Sequence, residues 1–409
     1  VMMMGGFSMP EADGRTAGPV PAPEPPPLAF LSGESSLLGW GCRRRLPPGG
    51  ADSLGERVAR FFAAAPDGPA VVAGALPFDR AAPDHLLQPD RLERGGRVAG
   101  LATPAPAASG GAWRLVPRPS AAAYADAVRQ ALARMAAETG RPETLTEGAL
   151  TKIVLSRGLL ARSEGPIDTV ALLDRLAADP AVTGFRLPLP AGTGGAPRWL
   201  MGATPELLLR KRGGAILSHP LAGSARRHAD AAADRAAGEA LLRSEKDRRE
   251  HRIVSDYILD TLSPWCRRLA APDGITLSRT RTLWHLGTRI EGELRDQAVL
   301  SATLAAALHP TPAVCGQPRA RAAALIREIE PEDRGFYAGA VGWCDASGDG
   351  DWFVTIRCAE IAGDTARLYA GAGIVPGSSP EGEADETAAK FGALLDALGA
   401  GDAARECPP

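Results

Sequence analysis

The chain lacks a long apolar run, a large net charge and any paired arrangement of cysteines, and each absence excludes a class of protein. No stretch approaches the roughly 18–20 uncharged apolar residues that a membrane span needs. The start, VMMMGGFSMPEADGR, has no basic segment followed by an apolar core of the kind that directs export. Forty-six basic and 48 acidic side chains leave a formal charge of −2, so no global field draws nucleic acid or an anionic membrane surface. The six cysteines, Cys42, Cys266, Cys315, Cys344, Cys358 and Cys407, are scattered without a C-x-x-C pair. That is the usage of reduced intracellular thiols. His251, His285 and His309 are too far apart in sequence to suggest a zinc set. What is present is a chain of 409 residues, 45% of them apolar, enough for a substantial core. The expectation is a globular cytoplasmic protein acting on a small molecule, with no nucleic-acid or membrane partner.

Residues 1–27 are rich in Gly, Pro and Ala and end in Pro25-Pro26-Pro27, a composition that cannot bury enough apolar surface to order itself. They are expected to be a disordered tail. Residues 28–144 begin with short apolar runs, LAFL and AVVAGALPF, broken by Gly and Pro, so strands and turns are expected there. Residues 119–140 have helical spacing, with Gly140 placed to end the helix. Residues 145–398 alternate β-branched runs with two long helical patterns and hold almost every constellation with chemical potential. Residues 399–409 form a C-terminal tail. There is no internal repeat.

Four constellations stand out. In KIVLSR, Ile153 and Leu155 alternate with Lys152, Val154 and Ser156 as on a strand. Lys152 is either an exposed edge lysine or a buried amine whose neutral form can act as a base. In MGATPELLLR, Gly202 and Pro205 break the chain just before Glu206. This glutamate is either solvated at a strand end or desolvated at a cleft edge, where it would stay protonated as a general acid. In SEKDRREHRIVSDYILDTL, the stripe Ile253, Val254, Tyr257, Ile258 and Leu262 extends backward onto Glu250, with Asp247 a turn further up. Carboxylates on the inward face suit a metal or a pairing role as well as a charged surface. In SSPEGEADETAAKFGALLDAL, Ser379 suits an N-cap, Pro380 the first helical position and Glu381 the positive end of the dipole. Glu383, Glu386 and Lys390 then share one face, either as ligands or as a surface ion pair. Oxygen donors from two helices, without a histidine pair or cysteine cluster, suit a hard ion such as Mg²⁺. The stretch AGAGIVPG, Ala370 to Gly377, reads as a tight turn and departs from the dinucleotide fingerprint.

Taken together, KIVLSR, GATPELL, HPLAGSARR, SEKDRREH, LWHL, LHPTPAVCG, GFYAGAVGW, FVTIRCAE and AGAGIVPGSSPEGEADETAAK resemble the chorismate-utilising enzymes, over about residues 145–398. That family includes isochorismate, salicylate, anthranilate and aminodeoxychorismate synthases. The resemblance implies an α+β fold in which two packed antiparallel sheets are flanked by helices, with the site in a cleft. It places Lys152 on the water-activating base, Glu206 on the general acid, and Glu250 and Glu386 on Mg²⁺ ligands. Asp247 and Glu383 fall near the metal shell. Gly223 and Ser224 match the substrate-contacting loop, and Arg357, Gly371 and Lys390 match positions that bind its carboxylates. His285 matches a histidine lining the site, and Ala313, Val314, Tyr337 and Ile356 match further substrate contacts.

The implied reaction is conversion of chorismate to isochorismate for catecholate siderophore assembly. Water attacks C2 with Lys152 as base, while Glu206, facing it across the pocket, protonates the departing C4 hydroxyl. The presence of Lys152, and of Ala222 where aminodeoxychorismate synthases carry a nucleophilic lysine, implies water chemistry without a glutamine amidotransferase subunit. The chain is expected to be monomeric. Tyr337 keeps a salicylate synthase, which goes on to eliminate pyruvate, as the alternative. An inactive chorismate-binding sensor is the remote one.

Overall fold

The computed structural model of the chain describes residues 26–64, 67–97, 112–138, 148–192 and 195–406. The expected N-terminal tail, apart from residues 26–27, lies outside them, as does Gly140. Among the described residues, two large sheets, of ten and nine strands, and a smaller one of three strands make up the β-structure, and every strand pair is antiparallel. The main core lies between the large sheets, with Phe30, Ile153, Leu155, Leu209, Val341 and Trp352 among its members. A second apolar cluster joins Leu159, Ala161 and Leu368 to Phe391, Leu394 and Leu395 of the helix Pro380–Leu398. Strands covered on both faces explain why Val71–Leu76 and the first eight residues of Lys152–Arg162 are buried continuously.

The described residues between 28 and 138 are woven into both large sheets. Leu28–Leu31 pairs with Ser36–Trp40 on one side and with Thr183–Leu189 on the other, while Val71–Leu76 lies against Ala340–Asp345. The segment expected to hold only strands and turns also contains the helix Leu54–Ala64, which buries Leu54, Val58 and Phe61 at i, i+4, i+7 spacing. The helix expected over 119–140 runs from Ala121 to Glu138. Residues 401–406 form a short helix, and Ala403 and Ala404 pack against the second apolar cluster.

Three features position the site. Strand Lys152–Arg162 pairs along its length with Thr365–Ile374, and its first two residues also pair with Gly316–Gln317. AGAGIVPG is therefore strand as far as Ile374, not a turn. The chain turns only at Gly377, where φ is +93°. The three-stranded sheet, Leu221–Arg226, Leu283–Thr288 and Ile275–Arg279, packs against the helices Ala231–Arg243 and Glu245–Leu262. Ser244 caps the second of these by accepting from Asp247 N, and Ser379 caps Pro380–Leu398 by accepting from Gly382 N, with Pro380 at its start. Among the described residues, no helix is long and apolar enough to cross a membrane.

Candidate active site

One cavity collects residues from every part of this framework. Glu206, Glu250 and Glu386 line it together with Gly223, Ser224, His285, Ala313, Val314, Tyr337, Ile356, Arg357, Gly371 and Lys390. All ten residues expected to contact substrate thus line one cavity. Lys152, Asp247 and Glu383 lie just outside it.

Lys152 is fully buried, which removes the edge-lysine reading. Its Nζ stands 3.0 Å from Glu250 Oε1, as an ion pair without hydrogen-bond alignment. This pairing ties the amine to Glu250, and Lys152 is also the foremost charge drawing the Glu206 pKa downward. Gly373 makes the arrangement possible, because a Cβ there would lie 2.1 Å from Glu250 Oε1 and 3.2 Å from Lys152 Cε. The inward stripe on helix Glu245–Leu262 does include Glu250, buried with His251, Val254 and Ile258.

Glu206 sits between strands Arg198–Thr204 and Leu207–Arg212 and is 3% exposed. Burial pushes its pKa up to about 8, against the pull of Lys152, the Leu221 backbone N–H, Lys390 and Arg357. A carboxyl held protonated at neutrality is equipped to donate a proton. His285 is held near pKa 3, chiefly by burial and then by Arg357 and Lys390. It is neutral at physiological pH, with Nδ1 3.4 Å from Gly223 O and a buried Nε2 that has no partner among the described residues. Gly223 itself has φ +74° at an irregularity in its strand pairing, and a Cβ there would meet Asp247 at 3.1 Å.

Cations converge on the same space. Burial lowers the Arg357 guanidinium to about 10, so it keeps its charge. Its φ of 51° puts a bulky residue in the left-handed region, a strain of roughly 1–3 kcal/mol of the kind found at functional sites. Lys390 Nζ donates to Gly371 O at 2.7 Å and pairs with Glu386 Oε1 at 2.6 Å. Ser224 Oγ also donates to that carboxylate, at 3.0 Å. Burial raises the pKa of Glu386, but Lys390, Ser224 and Lys246 outweigh it and the net shift is downward. Glu383 is 2% exposed, and burial followed by repulsion from Glu386 raises its pKa although Lys246 bonds it at 2.8 Å.

Glu250, Glu383 and Glu386 offer oxygen donors only, and Glu383 Oε2 is buried without a hydrogen-bond partner among the described residues. No cluster of three or more His, Cys, Asp or Glu is close enough to enclose a metal among those residues. Such a set fits a hard divalent cation that retains waters and takes further oxygen from a bound anion.

Three contributors are absent from the sequence reading. Tyr369 stacks on Tyr337 with centroids 4.9 Å apart and planes 6° from parallel. Their alternation with apolar neighbours looks like ordinary core. Arg334, 4% exposed, donates to Val154 O and Val314 O at 2.7 Å each and is joined to Glu330, which accepts from Ser156 N. This buried clasp ties two cavity walls together from behind, and PEDRG reads in sequence as a charged loop. Lys246 is the third, and its signal is the rarity of lysine in the chain.

The chorismate-binding enzyme model matches residues 120–399. Isochorismate synthase DhbC of Bacillus subtilis is 44% identical over 331 residues, covering 80% of this chain and 81% of that protein. Isochorismate synthase EntC of Escherichia coli is 42% identical over 329 residues, again covering 80% and 81%. The crystal structure of a putative 2,3-dihydroxybenzoate-specific isochorismate synthase, DhbC from Bacillus anthracis, superposes with a TM-score of 0.82 at 38% identity, covering 92% of this chain and 96% of that one. With the sheet architecture and the cavity already in place, these matches assign the protein: it belongs to the chorismate-binding enzyme family.

Proposed function

We propose that the protein is an isochorismate synthase, converting chorismate to isochorismate for 2,3-dihydroxybenzoate and catecholate siderophore assembly. The observation that carries this reading is the pair of buried groups of opposite character, Lys152 and a Glu206 with pKa about 8, beside a cavity with cationic walls. Arg357 and Lys390 suit the two carboxylates of chorismate, Arg357 through a planar donor fork. Lys152 takes a proton from water as a new C2–O bond forms, the ring double bond shifts, and the C4–O bond breaks. Glu206 gives its proton to the departing hydroxide, which leaves as water. Ala222, on the cavity wall, offers no amine, which supports water as nucleophile and a chain working without an amidotransferase subunit. Residues 145–398 carry these groups, and described strands between residues 28 and 118 extend both large sheets.

Glu250 and Glu386 would hold the divalent cation, with Asp247 and Glu383 behind them, and Mg²⁺ is the ion their oxygen chemistry favours. Bound there, the cation orients and screens a carboxylate of the substrate.

Incubating the purified protein with chorismate and Mg²⁺ tests the assignment, with ¹H NMR following the products and a coupled assay following pyruvate. Isochorismate should accumulate toward equilibrium without pyruvate, and EDTA should stop it. Stoichiometric pyruvate with salicylate would instead identify a salicylate synthase, and no turnover would identify a binding protein.

A further inference from the structure

Lys152, Lys211, Lys246 and Lys390 are the only lysines among 46 basic residues. Each meets a carboxylate: Glu250 at 3.0 Å, Asp349 at 3.0 Å, Glu383 at 2.8 Å and Glu386 at 2.6 Å, respectively. In a chain that otherwise uses arginine for positive charge, three of the four lysines therefore touch the carboxylates assigned to the cation site. Arginine would grip a carboxylate with a rigid two-pronged fork, whereas an ammonium on a flexible stem makes a point contact that can be released.

The three ammonium groups differ in their freedom to leave. The Lys152 side chain is fully buried, and that of Lys390 is 18% exposed and also bound to Gly371 O. The Lys246 side chain is 38% exposed, and its hydrogen-bond partner is Glu383, itself 2% exposed. Lys246 also occupies the first turn of helix Glu245–Leu262, where the helix dipole disfavours a cation. Its position is offset chiefly by the buried Glu383 carboxylate facing it, with Glu250 and Asp247 adding to the pull.

We propose that Lys246 is a built-in counter-ion of the cation site: it neutralises Glu383 in the metal-free enzyme and swings to solvent when the divalent ion arrives. It thereby sets the metal affinity. The proposal rests on Glu250 and Glu386 being the ion's ligands.

The test is Mn²⁺ binding to the full chain without chorismate, followed by electron paramagnetic resonance and calorimetry, for the wild type, Lys246→Met and Lys246→Arg. Loss of one positive charge near a dication should tighten binding about three- to tenfold in Lys246→Met, taking the displaced ammonium to lie about 6–12 Å from the ion across a medium with the dielectric constant of water. Lys246→Arg, which locks Glu383 with its fork, should bind more weakly than wild type. Circular dichroism checks folding, and Lys246→Gln replaces the Met variant with the same expected sign if that variant misfolds. Equal or weaker Mn²⁺ binding in the uncharged variants, alongside normal wild-type binding, would overturn the counter-ion role and leave the ligand assignment standing. Absence of Mn²⁺ binding in the wild type would overturn both.

Discussion

Lys152→Arg should fold, retain a cation against Glu250 and lose turnover by about 10²–10⁴-fold, the usual contribution of a positioned general base. The variant separates two roles that the structure superimposes. Lys152 pairs with Glu250 at 3.0 Å inside a fully buried environment, so a neutral replacement such as Lys152→Met strands a carboxylate and destabilises the protein as well as removing the base. Arginine keeps the charge balance but does not give up its proton at working pH. Single-turnover rates and thermal melts of both variants distinguish the roles. Arg near wild type in rate would show that Lys152 is only a counter-ion.

Glu206→Gln should be nearly as damaging to turnover, again about 10²–10⁴-fold, while making the protein more stable in mildly alkaline solution. The proposed acid acts in its protonated form, which burial preserves up to a pKa of about 8. The wild-type kcat/KM should therefore fall as pH rises through about 8, and the residual activity of Glu206→Gln should lack that alkaline limb. The stability effect has a definite sign. The folded carboxyl binds its proton more tightly than the unfolded one, whose ordinary value is 4.5. Its contribution to stability is therefore fully present below pH 4.5 and is lost as pH rises through about 8. Glutamine does not ionise, so the variant should gain up to a few kcal/mol over wild type at pH 8–9 and little at pH 4. Denaturant melts at the two pH values measure this difference. A variant that is inactive and equally or less stable at both would assign Glu206 a structural role.

The helix caps were the most legible parts of the site in sequence. Ser379 and Pro380 occupy the expected capping positions because capping depends on local hydrogen bonds that a few adjacent residues determine. Glu250 was also legible, since a carboxylate on an apolar stripe conflicts with solvent exposure. Lys152 and Glu206 were not. Their burial comes from strands far away in sequence, Gly316–Gln317 and Thr365–Ile374 around Lys152, and Leu221 beside Glu206. Only the family resemblance suggested them. The ion pair between Lys152 and Glu250 was hidden too, a contact between strand and helix that no spacing rule reports. The three-stranded sheet carrying Gly223, Ser224 and His285 was likewise hidden, because its pairing joins segments about sixty residues apart. Helix Leu54–Ala64 was legible in principle from Leu54, Val58 and Phe61, but the Gly and Pro breakers around it pointed toward turns.

In the proposed reaction, Lys152 and Glu206 drive water attack at C2 with loss of the C4 hydroxyl. Turnover of unlabelled chorismate in H₂¹⁸O, followed by mass spectrometry and ¹³C NMR of isochorismate isolated early in the reaction, tests it most directly. One solvent oxygen should appear at the C2 hydroxyl of every product molecule, and product formed slowly by Lys152→Arg should carry the same label. Isochorismate free of solvent oxygen would mean that the hydroxyl migrates within the substrate, leaving the assigned base without a water to activate.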